Sequence, residues 1–504
     1  MFSCSEFYHE WTKSQFPIEV QRSADYKVFA GDAEIPVYTC RISKYPFNTW
    51  WPGHQRPVEQ SEVVSYINLV ADEAVTLEVE PLTKSVDGRV MIKPYSKGVE
   101  PRTVGGRIVF TIPENGGYVL EINDYHGLLY IFHNKPRPCA DPEHVTHYFD
   151  KGVHFPGKIV LHSNESVYVD KDALVYGCIY AEKAENIHIY GNGILDDSNE
   201  ERISEPCYEP YANGNLKFYD CKNLRIEGVG VVNSAIWCVN LFHCFDVQLD
   251  GVNVFGQWRY NTDGIDIVNC ARVTVRNCFV HSFDDTVTVK GIDRYDFESN
   301  RDILVEHCVL WCDWGKTCEI GLETAAPEYA RIVFRDCDLL RAGNTACDIQ
   351  NGDYALVRDI MFENIRVELE SFYSRPQMQR SDDEVYSRQN EVEIAYILNI
   401  RNRRFREAYA FLNLEKEKSV YPEGDPHYAS VCGVTAKDIT VYCDDALLQS
   451  KGTQCVRLYV ENSIPTTEYR DIVVEGITLN GQRLQKADME MTLAGISPDA
   501  LSVK

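Results

Sequence analysis

One short phrase recurs along the chain and limits its folds more than any other feature. An apolar residue, any residue, a second apolar residue and any residue are followed by Gly, Asn, Asp or another small or polar residue. It reads Ile187-His-Ile189-Tyr-Gly191, Leu224-Arg-Ile226-Glu-Gly228, Val247-Gln-Leu249-Asp-Gly251 and Val273-Thr-Val275-Arg-Asn277. It continues as Ile303-Leu-Val305-Glu-His307, Ile332-Val-Phe334-Arg-Asp336, Ile360-Met-Phe362-Glu-Asn364, Ile439-Thr-Val441-Tyr-Cys443 and Ile472-Val-Val474-Glu-Gly476. From Leu224 to Ile360 the starts differ by 23, 26, 30, 29 and 28 residues, and such a period marks a repeat architecture. Alternation with a period of two, in short runs bounded by turn residues, means strands rather than helices. A unit of two or three short strands cannot close a core alone, but stacked coils can. The expected fold is all-β, a right-handed parallel β-helix. Leucine-rich and propeller repeats do not fit, because there is no LxxLxL phrase and no helical half.

Before about residue 148 the phrase is absent, and "AVTLEVEP", "GRVMIKP", "RIVFTIP", "GYVLEI" and "LLYIFHN" alternate between Pro and Gly punctuation. This pattern predicts an N-terminal antiparallel β-sandwich over 1–148, followed by a β-helix domain over 149–504. At 504 residues the chain is too long for one ordinary core, which agrees with two units. The period breaks at about 370–431 in a long insertion, a candidate cleft wall or homo-oligomer contact.

Composition excludes some partners. Apolar residues make up 44% and aromatics 12%, enough to bury a large core. Fifty Lys+Arg against 76 Asp+Glu give a net charge of −26, which argues against nucleic acid and favours a neutral ligand. No apolar run is long enough to span a membrane, and "MFSCSEFYHEWTKSQ" has neither a basic nor an apolar leader segment. The 18 cysteines, such as Cys178, Cys238, Cys308 and Cys347, sit singly in apolar runs without metal-ligand spacing. Buried thiols in a cytoplasmic protein are expected; a secreted or periplasmic protein whose leader has been removed is the alternative. No cofactor and no metal are expected.

In "NTDGIDIVNCARVTVRNCFVHSFDDTVTVKG" the acidic residues are all Asp. If Ile265 and Ile267 point inward in one coil, and Val287 and Val289 in the next, Asp263 falls over Asp285, with Asp284 beside them. Neighbouring strands lie about 4.8 Å apart. Carboxylates so close raise the pKa of at least one of them, and one acid beside one base is what glycoside hydrolysis requires. Turn chemistry and a calcium site remain open on spacing alone.

"NTDGIDI" followed 21 residues later by "DDTVTVKG" resembles the "NTDG…DD…IKSG" signature of glycoside hydrolase family 28, the polygalacturonase family. That family shares its clan with the dextranase and isopullulanase family 49. "HFPGKIVLHSNESVYVDKDALVYG", "IYGNGILD" and "NSAIWCVNLFHC" are similar to its earlier coils, so the resemblance covers roughly 148–368. It implies an inverting glycosidase without cofactors, with Asp284 as general acid and Asp263 and Asp285 activating water.

Two departures bear on the substrate. Where the family has a His near its carboxylates, "WGKTCEIGLE" places Lys316, with Glu319 following; where the family has "RIK", "NTACDIQNG" places Asp348 and Gln350. Charge reversal at a carboxylate-binding site is not conservative, which favours a neutral poly- or oligosaccharide, α-glucan-like by analogy with the clan's dextranase branch. Arg401, Arg403, Arg404 and Arg406 could supply the missing cations, which keeps an exo-acting polygalacturonase open. A non-catalytic carbohydrate-binding β-helix is the reading from another class. Trp237 is the expected sugar-stacking residue, with Trp258, Trp311 and Trp314 in neighbouring loops, and Asp266 completes the expected substrate contacts. His281 is a further residue to place, and His307 reads as a turn residue.

Overall fold

The computed structural model describes residues 22–44, 58–138, 141–200, 214–371, 394–402, 429–464 and 466–504. From His147 onward, strands stack in parallel in three long faces. The first face holds the recurring phrase. Ile187 pairs with Leu224, then the ladder runs through Val247, Val273, Ile303, Ile332 and Ile360. Their side chains, with those two residues further on, fill the apolar interior.

The residue closing each phrase turns a corner. Asn277, His307, Asp336 and Asn364 have φ of 55°, 54°, 55° and 51°, the left-handed region that tolerates Asn and Asp best among side chains. His307 is therefore a corner residue, as its slot in the phrase suggested. One occurrence of the phrase lies on another face: Ile360 is followed by Val434, in the strand Val431–Lys437, whereas Ile439 precedes a strand of another face, Thr440–Cys443. Both stretches alternate, and local pattern cannot distinguish faces that share a period of two.

Ahead of the coils, two five-stranded sheets lie within residues 26–134. All pairs are antiparallel except Ser61–Val70 with Leu129–Asn134, which is parallel. One sheet packs on the second coil face through Tyr66, Tyr130 and Phe132 against Phe255, Phe279 and Trp311. The approach is so close that a Cβ on Gly117 would stand 2.3 Å from the Phe279 ring. Most of the 370–431 insertion lies outside the described residues.

The third face remains to form a cleft. It runs through Val239–Phe242, Ile265–Val268, Val287–Gly291, Lys316–Thr324, Thr345–Asn351 and Tyr396–Asn402. Among the described residues no helix is long and apolar enough to cross a membrane. The thiols of Cys178, Cys238, Cys308 and Cys347 are buried and not in disulfides.

Candidate active site

On the third face Ile265 pairs with Val287 and Val287 with Cys318. The ladder continues past the strand ends, since the backbone N–H of Cys238, Gly264 and Thr286 donates to the carbonyls of Asp263, Asp285 and Lys316. Trp237, Asp263, Asp285 and Lys316 therefore form one column at the corner where the strands begin. A second column, facing outward, contains Asn240, Asp266, Thr288, Glu319, Asp348 and Asn399. The second column alone collects residues across 159 positions of sequence (399 − 240).

The turn holding the Asp pair is pinned from below: Ser282 Oγ donates to the Asp284 carbonyl at 2.6 Å and Cys312 Sγ at 3.2 Å. Gly315 roofs it, and any side chain there would collide, with a Cβ 2.3 Å from Asp285 Oδ1 and 2.5 Å from Asp284 Oδ1. Asp263, Asp284 and Asp285 are only 1%, 8% and 7% exposed.

The paired carboxyls differ electrostatically. Asp284 accepts from Asn261 Nδ2 at 3.2 Å; burial and then the neighbouring Asp285 charge push its pKa up to about 7. Burial acts on Asp285 in the same direction, but Lys316 and Lys290 outweigh it and hold the pKa down at about 2. Lys316 donates its backbone N–H to Asp285 Oδ1 at 3.1 Å, and its ammonium lies 3.4 Å from the same oxygen. Asp263 is lifted above the usual carboxylate range by burial, with Lys290 opposing. Burial also raises Asp266, to about 6.

Glu319 and Asp348 line the floor. Burial, reinforced by Asp285, holds Glu319 well above the usual range; burial also raises Asp348, against Lys316. Glu319 Oε1 lies 3.1 Å from the Lys316 ammonium, and its carboxyl adjoins that of Asp285. Gln350 Nε2 donates to Asp348 Oδ2 at 2.9 Å, and Arg401 Nε donates to Gln350 Oε1 at 2.9 Å. Arg401 thus borders the position where a cation was sought, while Arg403, Arg404 and Arg406 lie outside the described residues.

The aromatic expectations need correction. Trp237 is 3% exposed, with the Lys290 ammonium 3.9 Å from its ring centroid and Phe242 stacked against it, so it presents no open stacking face. Trp311 belongs to the second face, where it stacks on His281 and packs under the sandwich. His281 is buried there between Tyr130 and Asp313, away from the carboxylates. Trp258 lies 5.9 Å from the guanidinium groups of Arg41 and Arg259. Trp314 is the half-buried ring beside the site, set between Tyr260 and Phe283 and followed by Gly315.

Sequence reasoning gave no role to Lys290, although it stands inside the "DDTVTVKG" stretch. Its ammonium lies 2.6 Å from Asp263 Oδ2, 2.9 Å from Asp266 Oδ1 and 3.6 Å from Asp285 Oδ2. Strand parity was the available signal: with Val287 and Val289 inward, Lys290 faces the same way as Asp266.

Comparison with known proteins agrees with this geometry. Residues 145–371 match the model of glycosyl hydrolases family 28. A probable rhamnogalacturonase A of Aspergillus oryzae is 25% identical over 163 residues, which are 31% of this chain and 33% of that protein. An exopolygalacturonase of Zea mays is 28% identical over 237 residues, 36% of this chain and 55% of that one. The chain thus spans from about a third to just over half of the length of these relatives. Dex49A from Penicillium minioluteum shares the fold, with a TM-score of 0.56 at 13% identity, covering 96% of this chain and 95% of the other. Signature, register and family match coincide on one stretch of coils, residues 145–371, and it is there that the chain is similar to glycosyl hydrolases family 28.

Proposed function

We propose that the protein is an inverting glycoside hydrolase that cleaves a neutral poly- or oligosaccharide. The observation that carries this reading is the opposite protonation of adjacent carboxyls: Asp284 titrates at about 7 and Asp285 at about 2. Near neutrality Asp284 still carries a proton to give to the departing glycosidic oxygen, while Asp285 is ionised. Asp285 and Asp263 accept the proton of a water that attacks the anomeric carbon from the opposite side. The C–O bond to the leaving sugar breaks as the bond to water forms, and inversion follows from attack on the face opposite the leaving group.

The floor supports a neutral substrate. Glu319 and Asp348, whose proton affinity burial raises, can exchange hydrogen bonds with sugar hydroxyls, and neither supplies the cation that a uronate would need. An α-glucan, by analogy with the clan's dextranase branch, is one neutral candidate. Arg401 beside Gln350 favours the second reading, an exo-acting hydrolase of pectin oligosaccharides. Reducing-sugar release from dextran, pullulan, inulin, arabinan and polygalacturonate separates the two. Release from polygalacturonate alone overturns the neutral-sugar reading, and turnover unchanged in Asp284→Asn overturns the catalytic assignment. NMR of the first-formed anomer tests inversion.

A further inference from the structure

We propose that Lys290 is the positioning residue of the water-activating pair: its ammonium, set among Asp263, Asp266 and Asp285, holds these carboxylates in place and favours their ionised forms ahead of turnover. The inference rests on the glycosidase reading and adds to it a residue with no assigned role.

The geometry leaves the ammonium little freedom. An alkylammonium has three N–H donors. Two go to Asp263 and Asp266, at 2.6 and 2.9 Å, and Asp285 stands 3.6 Å away. The indole of Trp237 covers a further side at 3.9 Å. The Lys290 side chain is 3% exposed, so a sugar hydroxyl has no opening to it. Lys290 therefore acts through the carboxylates rather than on substrate.

Charge balance gives the lysine its importance. Asp263, Asp266, Asp284, Asp285 and Glu319 share this part of the cleft, Glu323 adds a more distant charge, and Lys316 lies across Asp285 from Lys290. Without Lys290, Asp263 and Asp266 would lose their cation in a buried setting, where an unpaired charge is costly and a carboxylate takes up a proton instead. Asp263 would then be driven further towards its protonated form and be less able to accept the proton of water. A lysine that only filled space could be replaced by a methionine of similar length without this consequence.

Lys290→Met and Lys290→Arg test the proposal in two assays. In Lys290→Met, kcat should fall by about 100-fold with KM within about 3-fold, and the acidic limb of the kcat/KM profile should move up by about one pH unit. Lys290→Arg, which keeps the charge, should restore about 10-fold of the lost kcat and return the limb. Difference potentiometric titration needs no substrate; against wild type, Lys290→Met should hold about one extra carboxyl proton near neutrality. An unmoved limb with unchanged proton uptake overturns the proposal, as does a raised KM with kcat intact, which would mean direct substrate contact. An arginine variant as impaired as the methionine one, with its limb displaced, overturns it too. Failure of the glycosidase reading shows elsewhere, as turnover retained in Asp284→Asn.

Discussion

Arg341 Nη2 lies 2.6 Å from Glu121 Oε1, a buried ion pair that joins the second coil face to the N-terminal sheets across 220 residues of sequence. Glu370 Oε2 lies 2.9 Å from Nε of the same guanidinium, and Lys93 lies 2.8 Å from Glu370 and 3.2 Å from Glu368. Around this charged knot the contact is apolar and aromatic. The sandwich thus braces the second face of the helix, whereas the candidate site lies on the third.

Removing one partner of such a buried network should be costly. Arg341→Met would leave Glu121 and Glu370 short of a cation and should lower unfolding stability by about 3–5 kcal/mol. The shift of the denaturant midpoint measures it; an unchanged midpoint would mean that the apolar contact alone fixes the two parts.

Glu368 makes that contact sensitive to pH. Burial, opposed by Lys93, raises its pKa from 4.5 to about 7 in the folded protein, so the folded state binds a proton that the unfolded chain releases. Stability from this group is full below pH 4.5 and is lost as pH rises to about 7. Thermal midpoints measured across that window should fall less in Glu368→Gln, which resembles the protonated acid and can still accept from the Tyr95 N–H.

Turnover should also fall as pH rises through about 7, because Asp284 then loses the proton it must donate. The acidic limb responds to the other side of the pair. Lys316→Met removes the largest influence holding Asp285 down and should move that limb upward, with Tm little changed; pH profiles of kcat/KM decide both.

Gly315→Ala tests how closely the roof sits on the acid pair. A methyl would have to displace carboxyl oxygens at 2.3 and 2.5 Å, so kcat should fall about 100-fold while the coil fold persists. Circular dichroism beside the assay separates a displaced site from a lost fold.

The sequence by itself determined the repeat, the strand period and the triple-Asp motif, because coil stacking depends on local alternation and a near-constant spacing. Ile265 over Val287 follows from that arithmetic, and with it Asp263 over Asp285, whereas the strand register adds Lys316 to the column. Which face each strand joins depends on where the corners fall, and Val434 rather than Ile439 continues the first ladder. Trp237, Trp311 and Trp314 look alike as aromatics near the Asp coils. Only packing decided that the first lies under Lys290, the second under the sandwich and the third beside the cleft. Lys290 likewise became part of the site only in three dimensions. A side chain's charge is local, whereas its effect depends on which carboxylates register places around it, and how far burial removes them from water.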